Sequence, residues 1–95
     1  MDELKIPDAA IKDENSFELL RVWAAFEQQH VTINSRLNGD AANFGYLLAE
    51  LALHGSKLYA ERFNASEFDM LKEILDGFNN EIINESGDPS GSIED

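Results

Sequence analysis

The chain has no cysteine, which excludes disulfides, thiolate nucleophiles and zinc sites of the Cys-rich type and agrees with a reducing compartment. Basic residues are also few: seven Lys and Arg stand against 19 acids, for a net charge of −12. That balance repels a phosphate backbone and an anionic bilayer alike, so neither nucleic acid nor membrane is an expected partner. No apolar run approaches the roughly 18 residues of a membrane span. The first residues, Met1-Asp2-Glu3-Leu4-Lys5-Ile6-Pro7, hold neither the basic region nor the apolar core of an export signal. A cytoplasmic location is therefore expected. With only two prolines and 43% hydrophobic residues, the chain is not disordered by composition. Its 95 residues allow one small domain with a modest core.

What is present is a change of period. Glu18 to Phe26 reads as an apolar helical pattern that runs through Gln28-Gln29 into the alternating segment His30-Val31-Thr32-Ile33. Asn15 offers an N-cap with Glu18 three residues on, so the spacing predicts a helix over residues 16–28. Residues 30–37 then alternate His30, Thr32, Asn34 and Arg36 with Val31, Ile33, Ser35 and Leu37, the pattern of a half-buried strand with one wet face. No second strand of equal quality follows, and the main-chain donors and acceptors of this one need a partner. Residues 1–14 read as an extended arm whose Leu4 and Ile6 alternate, so that it can pair as a short edge strand.

Asn38-Gly39 supplies a turn, and Asp40 is placed to cap a second helix from Ala41 to about Arg62, with Phe44, Leu47, Leu48, Leu51, Gly55 and Leu58 on one stripe. Gly45 and Gly55 each cost such a helix roughly 1 kcal/mol relative to alanine, which close approach of another element would offset. A third helix begins after Asn64 or Ser66, with Phe68, Leu71, Leu75, Phe78 and Ile82 along its apolar seam. Its outer face is acidic: from residue 64 onward nine acids face Lys72 alone. Residues 86–95 have no periodicity and many breakers, and read as a disordered acidic tail beyond a compact domain of residues 15–85. The fold class is α+β, with three helices packed on a minimal sheet. One strand is clear, a short N-terminal one is optional, and the sheet is completed across a dimer.

The run Glu18-Leu19-Leu20-Arg21-Val22-Trp23, then Gln29-His30-Val31, then Phe44-Gly45 with Leu48-Ala49 and Leu53-His54, resembles a family of short bacterial proteins classed as a domain of unknown function. The likeness covers roughly residues 16–62. It implies a bacterial source and brings no activity, cofactor or catalytic residue with it.

Candidate chemistry is sparse. His30 at the strand start and His54 on the long helix are the only histidines, and they form no His-x-x-x-His pair. The serines lack a nucleophile-elbow context and the glycines form no phosphate-binding pattern. No catalytic, cofactor or metal residue is therefore assigned. Trp23 is the best interaction anchor, able to serve a core or an interface. With Val31, Ile33 and Leu37 it makes the candidate interface, because an unpaired strand edge is adhesive and a twofold axis would pair it antiparallel with its own copy. The competing arrangement lays Leu4–Ile6 parallel to the strand, with the first helix as crossover. The dimer is the preferred reading. The functional expectation is a non-catalytic homodimeric binding or regulatory module. One alternative is a small-molecule protein or enzyme using His30 or His54 in a pocket lined by Trp23 and Tyr46 or Tyr59; another is an acidic module that covers a basic protein surface.

Overall fold

The computed structural model describes residues 2–37 and 39–86, and the chain divides into two units at residues 38 and 39. Three helices and a two-stranded antiparallel sheet make it an α+β protein, as the sequence predicts. The elements are α1 (Asp8–Lys12), β1 (Leu20–Ala25), β2 (Gln28–Ile33), α2 (Ala41–Phe63) and α3 (Glu67–Ser86).

The first unit is built on a β-hairpin. Leu20 pairs with Ile33, Val22 with Val31, Trp23 with His30, and Ala25 with Gln28, so only Phe26 and Glu27 form the turn. Both have positive φ, 53° and 59°, as a two-residue turn needs to match the right-handed twist of its strands. The helix expected over 16–28 is thus a correction: that segment is loop and strand β1. Leu20, Val22 and Ala24 fit period 2 as well as Leu20, Trp23 and Ala24 fit period 3.6, and the β-branched Val22 and aromatic Trp23 favour the pleated form. The capping box does not form either. Asn15 donates its own N–H to the Asp13 carboxylate at 2.9 Å, and Glu18 turns to Arg21.

β2 ends earlier than the alternation implied. The Asn34 N–H still bonds the Leu19 carbonyl at 2.9 Å, and its amide nitrogen donates to the Glu18 carbonyl at 2.8 Å. Its side-chain oxygen meanwhile accepts from the Arg36 N–H at 2.8 Å, an Asx turn that bends the chain away. The strand is therefore 28–33 and not 30–37. It also has a partner within its own chain, β1, which overturns the premise of a lone strand. Residues 2–7 join no ladder, so the optional N-terminal strand is absent and the arm instead leads into the single turn of α1.

The second unit is an α-helical hairpin. The Asp40 carboxylate accepts from the Asn43 N–H at 3.1 Å, capping α2 where the sequence placed it. At the other end Asn64 is left-handed, with φ 51° and ψ 51°, and its N–H bonds the Ala60 carbonyl. Ser66 caps α3 through its hydroxyl, which accepts from the Asp69 N–H at 3.0 Å. The two helices pack on each other, and their more covered positions are Phe44, Leu47, Leu48, Ala52, Gly55, Ser56 and Ala60 of α2 and Met70, Leu71 and Ile74 of α3. A Cβ at Gly55 would lie 3.5 Å from the Ile74 Cδ1, whereas one at Gly45 would meet nothing within 4 Å. A methyl would be at ordinary contact distance in one case and in open space in the other, so close approach requires glycine at neither position of α2. Of residues 86–95, read from the sequence as a disordered tail, Ser86 is the last residue of α3 and 87–95 lie outside the described residues.

Candidate functional site

The arm and α1 stand along one side of the hairpin and leave an open cleft of about 720 Å³ between themselves and residues 16–23. Leu4, Ile6, Ile11, Phe17, Leu20 and Trp23 give it an apolar lining, and Glu3, Glu18 and Arg21 its charged rim. Arg21 reaches the Glu18 carboxylate through Nε and Nη2, each at 3.2 Å from one of its oxygens, and Glu3 through Nη1 at 3.2 Å. The hydrogen bonds and charge of Glu18, with a smaller contribution from Glu3, raise the Arg21 pKa further above its already high ordinary value. Its charge is fixed, and the pair pins the arm to the hairpin. Phe17 in turn lies beneath the Arg36 guanidinium, 4.6 Å from the ring centroid.

Residues expected at an interface divide between two faces of the hairpin. Directly paired residues of an antiparallel ladder share a face, so Leu20, Val22, Val31 and Ile33 form one apolar surface, of which Val22, Val31 and Ile33 are each about half exposed. Trp23, half-buried, stands on the opposite face with Arg21, His30 and Thr32. Leu37 lies past the Asn34 turn, outside the sheet.

The residues of the small-molecule alternative are not gathered together. His30 sits opposite Trp23, and its Nε2 donates to the Ala25 carbonyl at 3.0 Å, which makes that nitrogen the protonated one. His54, Tyr46 and Tyr59 all belong to α2 and are exposed. Tyr46 and Tyr59 are 13 residues apart, about 20 Å along a helix. Tyr59 stacks on Phe63, with ring centroids 6.0 Å apart, and Arg62 covers its ring at 5.4 Å. Among the described residues no group of three or more His, Asp or Glu side chains is placed to hold a metal ion. No helix among them is long and apolar enough to cross a membrane. The cleft is the feature that sequence reading missed, because it depends on the arm folding back onto β1 through Glu3 and Arg21, residues 18 positions apart with no motif around them.

Residues 3–85 match the family described as Domain of unknown function (DUF5076). The chain belongs to that family. The match extends the likeness seen in residues 16–62 in both directions along the chain. No curated protein matches this DUF5076 chain. A solved structure from the photosynthetic bacterium Rhodopseudomonas palustrus, of a protein provisionally named a pyruvate dehydrogenase, is similar to it with a TM-score of 0.67 at 22% identity. The likeness covers 84% of this chain and 92% of that one. At that identity it carries the fold alone.

Proposed function

We propose that this DUF5076 protein is a bacterial, non-catalytic binding module that works as a homodimer. The observation that supports the reading is how little each unit covers by itself. Among the described residues only Ser56, at 3%, and Ala60, at 9%, fall below a tenth exposed. Meanwhile Val22, Val31 and Ile33 on the hairpin, and Leu51, Leu58, Phe68, Leu75, Phe78 and Ile82 on the helices, are open to solvent. A two-stranded hairpin is marginal alone, and apolar faces of this kind mark contact surfaces. The cleft joins apolar side chains to Asp2, Lys5, Ser16 and an arginine already engaged by two carboxylates. The dehydrogenase name of the structural neighbour brings no residue with it to this chain.

Sedimentation at tens of micromolar tests the reading: a dimer is expected, and a monomer with an unchanged circular dichroism spectrum would remove it. A second reading, an acidic module on a basic protein, draws on α3, whose Glu67, Asp69, Glu73, Asp76, Glu81 and Glu85 face Lys72 alone.

A further inference from the structure

The hairpin ladder fixes which backbone groups look outward. Antiparallel pairs alternate between residues that exchange hydrogen bonds and residues that do not. Because the Asn34 N–H bonds the Leu19 carbonyl, the pairs 21 with 32, 23 with 30 and 25 with 28 bond within the hairpin. Gln29, Val31 and Ile33 therefore turn their N–H and C=O groups to the free side of β2. None of the backbone bonds outside the helices and the ladder involves these three residues. The β1 side is different, since the arm and α1 line a cleft with Leu20, Arg21, Val22 and Trp23, and Glu3 is ion-paired to Arg21.

Free edges are ordinarily blunted by lysine, proline, a bulge or an inward charge. β2, Gln-Gln-His-Val-Thr-Ile, has no lysine, proline or acid, and its register runs without a bulge. Such a hairpin gains stability from a third strand, and the described residues hold only two. Resting on the homodimer reading above, we infer that a second copy of this chain supplies it, β2 pairing antiparallel with β2 about a twofold axis through Val31.

Symmetry selects this register. With Val31 opposite Val31 of the partner subunit, and Gln29 opposite Ile33 of the partner subunit, all the outward N–H and C=O groups of the three residues are used on both copies. Centring on His30 or Thr32 instead leaves Ile33 or Gln29 without its counterpart. The same register joins the two apolar faces, Leu20, Val22, Val31 and Ile33 of each copy, across one four-stranded sheet. Charge permits the approach, because residues 1–38 carry seven acids against four bases and none of the eleven lies on β2.

A cysteine-free chain makes the test direct, since any single cysteine can link only to its own counterpart. In the inferred register the two copies of residue 31 have Cα atoms about 5.5 Å apart, within the reach of a disulfide. Val31→Cys is expected to form a covalent dimer under mild oxidation. Val22→Cys, on the same face but roughly 14 Å from its counterpart across three strand spacings, is not. Preferential linking of His30→Cys or Thr32→Cys would overturn the register. A dimer by sedimentation in which none of the β2 cysteines links would overturn the edge and leave the homodimer standing; a monomeric parent protein would remove both. Val31→Pro deletes an outward N–H that the hairpin itself does not use. It is expected to weaken the dimer on the order of a hundredfold or more by sedimentation, and unchanged association would also overturn the pairing.

Discussion

Phe26 and Glu27 sit where glycine or asparagine would be more comfortable. At φ 53° and 59° both are left-handed, and Phe26 is 93% exposed, so nothing in its own unit compensates its conformation. A left-handed L-residue costs roughly 1–2 kcal/mol, and Asn-Gly is the preferred sequence of this turn. Replacing the pair, Phe26→Asn with Glu27→Gly, is expected to stabilise the fold by about 1–2 kcal/mol, read as a higher urea midpoint at fixed protomer concentration. An unchanged or lower midpoint would mean that the Phe26 ring is engaged when the protein is assembled. The turn also shows why the hairpin was hidden in the sequence. Without glycine or asparagine at 26 and 27, the segment carries no turn signal, and the apolar stretch before it reads equally well as helix.

At the scale of elements, the two long helices were legible almost to the residue, because their boundaries are set by local side-chain chemistry. Asp40 and Ser66 cap where they stand in the sequence, while Asn64, read there as an alternative start for the third helix, closes α2 instead. The hairpin was not, since β1 is defined by partners up to thirteen residues away and by a turn without its usual residues. The candidate interface was legible in part: Val31 and Ile33 share a face, while Trp23 takes the other and Leu37 leaves the sheet. The helical glycines separate packing from propensity. Gly55→Ala places a methyl at ordinary contact distance from Ile74, and Gly45→Ala places one in open space. Both are expected to raise stability by about 0.5–1 kcal/mol, measured by thermal or urea unfolding. Failure at Gly45 alone would put another chain against that face of α2.

For the molecule as a whole, the charge of −12 opposes the association its open apolar surfaces favour. The burden is uneven, with twelve acids against three bases in residues 39–95. Salt shortens the range of that repulsion from about 30 Å at 0.01 M to about 10 Å at 0.1 M. The homodimer is therefore expected to tighten as salt is raised, by sedimentation at matched protein concentration. Weakening with salt would instead place ion pairs across the contact and favour a basic partner for α3. The topology gives this repulsion a further use. Each unit is closed between neighbours in sequence, one by the turn at 26–27 and the other by the cap at Asn64. Local closure of this kind is quick and proceeds while the chain is still being made. On the homodimer reading, a nascent molecule finishes its own hairpins before it meets a second copy, and in that interval its surplus of carboxylates works as a fence against clumping.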